Sequence, residues 1–426
     1  MTFLHDVLKP GCSCDAPEHP GKLISIDEAL HRIGALCHPI AEVERLSLSQ
    51  AHGRVLALPV VNDTPAPAFD NSAMDGYAVD ARAFVGDGPW ILQVSDRIPA
   101  GSGGQAALQP GTAARIFTGA PVPAGATAVV MQEQVRNAGA LVRIDRRPSD
   151  GQNIRRIGSD MQAGEVVLTA GTILGPREIA AAAAAGAAEV TVRRRLRVAL
   201  LVTGDEVRQA GTGRATAQIW DVNTPMLGAA IASPAMELVA AEPAADDRLR
   251  LRRQLADLCS RADLVVTTGG VSVGEEDHVK QALADLGGEL ALSGVAIKPG
   301  KPVSLGSVGS VTWLGLPGNP LAAFVTWQLF GETVVQHLTG QTRLRNQRRH
   351  VVTAFPIKRK PGRCEFRPAN RIGFDALGRE LVGFDGTTNS ARVGNLPAAD
   401  GLILLPADAD DLPEGALVEF MPFFET

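Results

Sequence analysis

The chain lacks a long apolar run, has few cysteines and carries no excess of positive charge. A helix that crosses a bilayer needs about 20 consecutive apolar residues, and no stretch approaches that length. Five scattered cysteines, an odd number, do not indicate a disulfide framework. A formal net charge of −5 argues against a dedicated nucleic-acid binder. Because the first residues also lack the apolar stretch of a secretory signal, we expect a soluble, cytoplasmic protein.

Lysine is the scarce basic residue, since only seven of the 41 lysines and arginines are lysines. Two of the seven, Lys298 and Lys301, stand close together within residues 298–302, a run that also contains glycine and proline. Lysine is a compact point charge that the planar fork of arginine does not reproduce. The pattern therefore predicts that this pair holds an anion, and two solvated loop lysines are the alternative.

Three common kinds of site are missing from the sequence. No Gly-x-x-x-x-Gly-Lys-Ser/Thr phosphate loop occurs. The glycine-rich residues 101–104 lack the preceding strand and the following helix of a dinucleotide-binding fingerprint. No Ser/His/Asp or Cys/His arrangement for nucleophilic catalysis is evident. A phosphate site in this chain must therefore be of another kind.

Three loops between residues 267 and 320 contain most of the functional signal. Residues 267–277 and 316–320 each follow an apolar strand-like run and open into a helical pattern, and residues 298–302 follow a third apolar run. In an open α/β sheet such loops gather at the carboxyl ends of the strands. Glycines let backbone amides approach an anion, and a helix N-terminus adds a positive dipole. With three carboxylates in the first loop, the pattern predicts a site for a phosphorylated ligand and a hard metal ion.

Five acidic positions, one of them in the first loop, lie near predicted strand ends, turns or helix starts: Asp75, Asp160, Glu206, Asp246 and Asp277. Taken singly, an aspartate at such a position more often caps a helix or closes a turn than binds a metal. Several of them converging beside the two lysines would instead suit Mg²⁺, which takes a few oxygen ligands together with substrate phosphates.

With 426 residues, the chain is expected to form about two to four domains. Residues 1–21 read as a disordered tail, and Cys12 and Cys14 with nearby histidines are only a weak pattern for a metal site. Ser25 predicts a helix N-cap. Residues 90–156 alternate short β-like runs with turns, and residues 197–340 show the βαβ pattern of a mostly parallel sheet. From residue 350 onward a compact β domain or barrel is expected.

Eight runs of this sequence, taken in order, resemble the molybdopterin molybdenumtransferase family, the MoeA/gephyrin E-domain group. The resemblance extends from about Ile24 to the C-terminus. The matching runs are residues 69–79 (FDNSAMDGYAV), 118–123 (TGAPVP), 130–134 (VMQEQ), 151–156 (GQNIRR), 203–206 (TGDE), 268–275 (TGGVSVGE), 296–302 (AIKPGKP) and 316–320 (LPGNP).

The resemblance implies a multidomain fold of α/β and β parts. After the tail of residues 1–21, a discontinuous α/β domain (22–64 and 157–195) carries an inserted β domain (65–156). A mostly parallel α/β molybdopterin-binding domain (196–345) and a C-terminal β barrel (346–426) follow. The family forms homodimers, so the active cleft is expected between the molybdopterin-binding domain of one subunit and the inserted domain of the other.

The implied reaction inserts molybdate into adenylylated molybdopterin with Mg²⁺ and releases AMP. Contacts with molybdopterin adenylyltransferase and with acceptor molybdoenzymes are implied as well. By position, the catalytic residues become Asp75, Thr118, Asp160, Glu206, Asp246 and Asp277, of which Glu206, Asp246 and Asp277 bind the metal. The residues implied to bind substrate or molybdate are Gly269, Gly270, Ser272, Gly274, Lys298, Lys301, Pro317, Gly318, Asn319, Pro320, Arg363, Arg367 and Thr387.

The sequence departs from the family pattern at several positions implied to contact molybdate. Gly294 replaces a lysine of some members, and Leu321-Ala322 replaces a more usual Val-Ser. The usual arginine of the barrel stands one residue earlier, at Arg367, with Pro368 in its position, and Thr387 replaces a serine.

Two other functions stay open. One is a molybdopterin-binding carrier or scaffold without turnover. The other is the adenylyltransferase step, although that enzyme needs neither residues 22–195 nor 346–426.

Overall fold

The structure is a computed structural model that describes residues 23–103, 106–244, 247–270, 278–342, 348–384 and 393–423. No helix in these ranges is long and apolar enough to span a membrane. A π-helical turn, Trp327–Gly331, joins the last two α-helices into one continuous helical stretch. The α-helices are Ile26–Leu36, Pro176–Ala184, Asn223–Ile231, Arg248–Arg261, His278–Asp285, Pro320–Thr326 and Glu332–Thr339.

A six-stranded sheet, here called the central sheet, organises the middle of the chain. The first four strands in its spatial order are parallel to one another. The fifth strand is antiparallel to the fourth, and the sixth is antiparallel to the fifth. This arrangement confirms the predicted mostly parallel α/β fold. In spatial order the strands are Met236–Ala244, Leu196–Thr203, Leu264–Thr268, Val311–Leu316, Ser304–Val308 and Glu289–Ser293.

Helices cover both faces of the central sheet. Leu200 and its neighbours on one face pack with Leu227 of one helix and Trp327 of another. On the opposite face, Leu201 packs with Leu255 and its helix. Strands that are covered on both faces read as continuous apolar runs rather than alternating ones. This arrangement explains why the central strands were recognisable in the sequence.

The inserted region forms a second six-stranded sheet, and its strands coincide closely with the short β-like runs of the sequence. In spatial order they are Ala128–Met131, Gly76–Val79, Thr112–Ile116, Trp90–Ile98, Leu141–Ile144 and Val135–Ala138. The segments before and after this inserted sheet pair with each other. The three antiparallel pairs are Val43–Ser47 with Glu189–Arg193, Val60–Val61 with Val166–Leu168, and Asn71–Ser72 with Ile154–Arg155.

The predicted N-cap occurs, and a later alanine-rich helix is followed by a glycine. The Ser25 hydroxyl accepts a hydrogen bond of 3.1 Å from the backbone N–H of Glu28, at the start of Ile26–Leu36. Pro176–Ala184 is followed by Gly186 at φ +83°, a conformation that glycine adopts without strain.

The C-terminal strands close into a barrel, as the sequence predicts. Their spatial order is Cys364–Phe374, Glu380–Gly383, Arg349–Thr353, Leu417–Pro422 and Gly401–Leu405, and the last pairs with the first. A short strand from the middle of the chain, Ile297–Lys298, adds to Cys364–Phe374 in parallel. Two small pairs remain, Val207–Arg208 with Ile219–Trp220 and Ile357–Lys358 with Asp411–Leu412.

A cluster of ionic hydrogen bonds stabilises the start of a strand in the central sheet. Asp263, directly before Leu264–Thr268, accepts hydrogen bonds of 2.8 Å from Arg194 Nη1 and from Arg197 Nη2. Burial disfavours ionisation of Asp263, but the hydrogen bonds from both arginines outweigh it and hold its pKa at about 2. Arg194 also reaches Glu42 at 3.3 Å, which ties the first segment of the chain to the sheet.

We expect Asp263→Asn to lower the free energy of unfolding at pH 7 by about 2 kcal/mol, because the ionised carboxylate is stabilised by this amount in the fold. A carboxyl group with a lowered pKa stabilises the fold above its unfolded pKa. The difference in the free energy of unfolding between wild type and variant should therefore stay constant from pH 7 to about pH 4. It should shrink as the pH falls toward about 2. Urea unfolding at several pH values measures it.

Asp257→Asn is the matched control, because Asp257 forms an exposed ion pair with Arg261. Such a pair contributes little, so this variant should lose less than about 1 kcal/mol. A difference for Asp263→Asn that stays constant down to pH 3 would contradict the assigned pKa.

Candidate functional site

The three loops singled out in the sequence come together in one pocket of about 540 Å³, here called the cationic pocket. Its volume is within the range of small-molecule sites. Eight of the predicted binding residues line it: Gly269, Gly270, Lys298, Lys301, Pro317, Gly318, Asn319 and Arg363. Pro299, Gly300, Pro302, Leu321 and Ala322 complete the lining. Pro320 begins the adjoining helix instead of lining the pocket.

Glycine is required where the first of these loops leaves the central sheet. Gly269 and Gly270 have φ values of +83° and +61°, in the left-handed region. A Cβ on Gly269 would also lie 2.6 Å from Thr203 Oγ1 of the neighbouring strand. The backbone N–H of Gly269 donates to Leu316 O at 3.2 Å, so the first and third loops are held against each other. Backbone amides at this position can approach a ligand closely.

Asn223 connects the same two loops and was not identified from the sequence. Its Nδ2 donates to Gly318 O at 2.8 Å and to Thr268 Oγ1 at 3.3 Å. The side chain is buried, and it lies at the start of the helix Asn223–Ile231. An asparagine at a helix start is a common capping signal, so its position in the sequence carried no sign of this bridging role.

The second loop reaches the pocket by pairing with the barrel. Ile297–Lys298 is hydrogen-bonded to Cys364–Glu365, and Arg363 Nη1 donates to Ile297 O at 3.1 Å. The loop closes on itself through a 2.9 Å bond from Val295 N to Lys301 O. The two lysines are exposed at the mouth of the pocket, and they are available to an anion from solvent.

Glu365 lies beneath Lys298 and forms ion pairs with three cationic side chains. Its side chain is 2% exposed, accepts a 3.0 Å hydrogen bond from Arg367 Nε and lies 3.5 Å from Arg359 Nε. Lys298 Nζ lies 3.6 Å from the same carboxylate. Arg367, a predicted binding residue, is therefore buried against Glu365 and does not line the cationic pocket. Neither Glu365 nor Arg359 was a candidate from the sequence, because their burial depends on the closed barrel.

A second cavity of about 420 Å³ adjoins the cationic pocket and shares Lys298 and Arg363 with it. Arg359, Lys360 and the single carboxylate Glu365 also line this cavity. Burial lowers the pKa of Arg359, and nearby Glu365 partly offsets that effect. Among the described residues that line the two cavities, positive charge therefore exceeds negative charge. Such an arrangement attracts phosphate or an oxyanion.

Two predicted catalytic residues, Asp75 and Thr118, meet in the inserted sheet. Asp75 Oδ1 accepts hydrogen bonds of 2.8 Å from both the backbone N–H and the hydroxyl of Thr118. These hydrogen bonds, with a smaller effect of Arg115, lower the pKa of Asp75, so it is ionised at neutral pH. Arg115 itself lies over the ring of Phe117 with its guanidinium carbon 5.0 Å from the ring centre.

Asp160 is exposed in the chain that returns from the inserted sheet, where its backbone N–H donates to Ala66 O at 3.0 Å. Across the ranges that the structure describes, no hydrogen bond or ion pair joins Asp75, Thr118 or Asp160 to a residue that lines the cationic pocket. The structure thus brings the lysines and glycines together, and leaves these carboxylates on a separate surface of the same chain.

Of the predicted metal ligands, the structure describes only Glu206, which is exposed just after the strand Leu196–Thr203. Asp246 and Asp277, together with Ser272, Gly274 and Thr387, lie outside the described residues. Within the described part of the chain, no group of three or more His, Cys, Asp or Glu side chains is placed to hold a metal. In the sequence, the three predicted ligands come after three strands that are parallel neighbours in the central sheet.

One departure from the family pattern has a structural reason. Gly294 has φ +94°, and a Cβ there would lie 2.9 Å from Leu23 Cδ2. A lysine at this position would be strained, so glycine suits the backbone of this chain. Ala322 lines the cationic pocket without a hydroxyl, and Pro368 lies within the barrel strand Cys364–Phe374.

Three family profiles match successive parts of the chain. They are the MoeA N-terminal region (domain I and II) over residues 24–186, the "Probable molybdopterin binding domain" over 199–337, and the MoeA C-terminal region (domain IV) over 350–423. The crystal structure of the molybdopterin biosynthesis MoeA protein of Pyrococcus horikoshii is similar in fold. It has a TM-score of 0.81 and 27% identity, and the match covers 94% of this chain and 100% of that one.

Curated relatives match almost end to end. Molybdopterin molybdenumtransferase 2 of Mycobacterium tuberculosis is 36% identical over 391 residues, which is 90% of this chain and 95% of the relative. Molybdopterin molybdenumtransferase of Haemophilus influenzae is 32% identical over 407 residues, 94% of this chain and 99% of the relative. With the α/β sheet, the inserted sheet and the barrel all in place, the chain belongs to the molybdopterin molybdenumtransferase (MoeA) family.

Proposed function

We propose that this protein inserts molybdate into adenylylated molybdopterin and releases AMP. The observation that carries the proposal is the cationic pocket, where Lys298, Lys301 and Arg363 surround glycine loops at the carboxyl end of the central sheet. Both the substrate phosphates and molybdate are anions that such a pocket attracts. The near end-to-end similarity to molybdenumtransferases supports this reaction over a phosphate-binding role of another kind.

The lysines and Arg363 are assigned to molybdate and to the pterin phosphate. The glycine loop at Gly269 and Gly270 brings backbone amides to the ligand. Pro317, with Pro320 at the start of the following helix, keeps the third loop in one shape, which lowers the entropy lost when ligand binds. The hydrogen bond from Asn223 Nδ2 to Gly318 O holds the same loop in place.

Mg²⁺ is proposed to bind beside this pocket through Glu206, Asp246 and Asp277. Their oxygens are the ligands that Mg²⁺ prefers, and they follow three adjacent parallel strands, which supports a shared position. Bound Mg²⁺ would neutralise charge on the adenylyl phosphate. Glu206, the described member of the set, is exposed and thus accessible to an ion carried by the substrate.

The remaining catalytic residues, Asp75, Thr118 and Asp160, are proposed to come from the second subunit of a homodimer. Their separation from the cationic pocket within one chain supports this arrangement. Asp75, fixed by two hydrogen bonds and ionised, would orient the attacking water or molybdate and, where water attacks, accept a proton from the water. The domain division given above, a cytoplasmic location, and contacts with molybdopterin adenylyltransferase and acceptor molybdoenzymes belong to the same proposal.

The purified protein with adenylylated molybdopterin, Mg²⁺ and molybdate should release AMP in a molybdate-dependent manner. In Lys301→Ala we expect the rate at low molybdate to fall by about 100-fold, because a charge-assisted contact with the anion is lost. Steady-state measurement of AMP against molybdate concentration checks both results. Binding of the pterin without AMP release would favour a carrier or scaffold.

Lys358→Ala is the control for charge, since Lys358 is an exposed lysine of the barrel that lines neither cavity. Its AMP release should match wild type. An equal loss in both variants would show that net charge, and not the cationic pocket, sets the rate. Formation of adenylylated molybdopterin from ATP would instead indicate the adenylyltransferase step.

Asp75→Asn should reduce AMP release by about 100-fold or more, because the proton acceptor is lost. If the site is shared between subunits, mixing this variant with Lys301→Ala creates dimers with one intact site. Random exchange should then restore about a quarter of wild-type activity, since half of the dimers are mixed and each has one of two sites intact.

Asp145→Asn serves as the control for the inserted sheet, because Asp145 forms exposed ion pairs with Arg143 and Arg136. It should remain fully active. No recovery in the Asp75→Asn and Lys301→Ala mixture, with subunit exchange verified by two different tags, would place both residues in a site within a single subunit.

We expect Glu365→Gln to lower the free energy of unfolding by about 3 kcal/mol, because it leaves Arg359 and Arg367 buried without their anion. Glu419→Gln, which removes a half-exposed partner of Arg348 in the same barrel, should cost less than about 1 kcal/mol. Urea unfolding of both variants makes the comparison. Equal losses would show that burial of the two arginines does not depend on Glu365.

A further inference from the structure

A separate pocket of about 260 Å³ lies where the segments that flank the inserted sheet meet the helices of the central sheet. It shares no lining residue with the cationic pocket. One wall contains Gly53 and Leu174, joined by a 2.8 Å hydrogen bond from Gly53 N to Leu174 O. The opposite wall contains Pro234, which approaches Gly53 so closely that a Cβ there would lie 2.6 Å from Pro234 Cγ. We call this cavity the amide pocket.

Buried amide groups without partners line one side of the amide pocket. Gln336 is 3% exposed, and neither its Nε2 nor its Oε1 has a hydrogen-bond partner among the described residues. Gln341 donates from Nε2 to Thr339 Oγ1 at 2.9 Å, while its buried Oε1 likewise lacks a partner in the described part of the chain. Buried polar groups are nearly always hydrogen-bonded. One unpaired donor and two unpaired acceptors therefore call for a partner that the described residues do not supply.

The charge of the amide pocket differs from that of the cationic pocket. Among the described residues that line it, none is a lysine or arginine, and Glu332 is the one carboxylate. Among the described lining residues, an anion would meet His52 as the one basic side chain and would be repelled by Glu332. The rest of the lining is mainly apolar, with Ile173, Met236 and Val335 facing the polar side. Small-molecule sites typically combine such apolar walls with a few polar groups that fix orientation.

We propose that the amide pocket binds a neutral small molecule with an amide group, in which an N–H donor lies next to a carbonyl acceptor. The carboxamide of Gln336 pairs with such a group through one donated and one accepted hydrogen bond, and Gln341 Oε1 accepts from a second N–H. The apolar walls take the body of the ligand. The site is distinct from the proposed transferase site in residues, charge and ligand class, so it does not depend on the proposed function.

Three probes with the same ring test the ligand class: benzamide, benzoate and toluene. Benzamide offers the neutral amide, benzoate replaces it with a charge, and toluene removes the polar group. Titration calorimetry and saturation-transfer NMR on the full-length protein should show benzamide binding at millimolar concentration, and at least about tenfold weaker binding of the other two. Binding of benzamide should persist in Lys301→Ala, since Lys301 belongs to the cationic pocket.

Gln336→Met tests the residue on which the proposal depends. Methionine keeps the length of the side chain and removes both polar atoms. Benzamide should bind at least about tenfold more weakly to this variant. The melting temperature of the free protein should stay the same or rise, because an unpaired buried amide has been removed. Gln281→Met, an exposed residue of the helix His278–Asp285, should change neither quantity.

Ordered water is the alternative partner for Gln336. The melting temperature and the binding of benzamide together distinguish water from a ligand. If water already satisfies the amide, Gln336→Met should lower the melting temperature and wild type should not bind benzamide. That pair of results overturns the proposal. Equal binding of benzamide by wild type and Gln336→Met overturns it as well, and so does benzoate binding as tightly as benzamide.

Discussion

One buried carboxylate, Glu365, determines how the barrel meets the central part of the chain. It holds Arg359 and Arg367 inside the barrel and Lys298 on the loop that joins the barrel edge. Two arginines so deeply buried would be costly without a paired anion. The same interaction therefore stabilises the barrel, attaches it to the Ile297–Lys298 strand and sets the charge of the cationic pocket. The barrel is in this sense part of the site, although it contributes few lining residues.

Among the described residues, the cations of the cationic pocket and the ionised Asp75 belong to different parts of the fold. The cationic pocket can attract phosphate or an oxyanion, but the described residues around it provide no free carboxylate, since Glu365 is engaged by three cations. Asp75, held by Thr118, is ionised and lies on the inserted sheet. A reaction that needs both anion binding and a proton acceptor thus requires the two surfaces to meet. A dimer that presents the inserted sheet of one subunit to the pocket of the other satisfies this requirement.

The strands and turns that could be predicted from the sequence are those that depend on a local pattern of residue types. Apolar strands covered on both faces appear as continuous runs, and glycines such as Gly269 mark turns that no other residue adopts without strain. The roles of Glu365 and Asn223 were not predictable. Each depends on burial and on partners distant in sequence: Glu365 contacts Lys298, and Asn223 contacts Gly318. Nothing in the residues next to them indicates these contacts.

The two pockets are linked by one continuous helical stretch. It begins at Pro320, beside the cationic pocket, passes through the π-helical turn Trp327–Gly331 and reaches Gln336 in the amide pocket. Gly331 makes room for the turn, because a Cβ there would lie 2.5 Å from the ring of Trp327. π-Helical turns occur frequently at functional sites. A helix that begins beside the cationic pocket and carries the unpaired amide of Gln336 further along connects the proposed anion site with the proposed site for a neutral amide. The charge of each pocket then selects its own ligand.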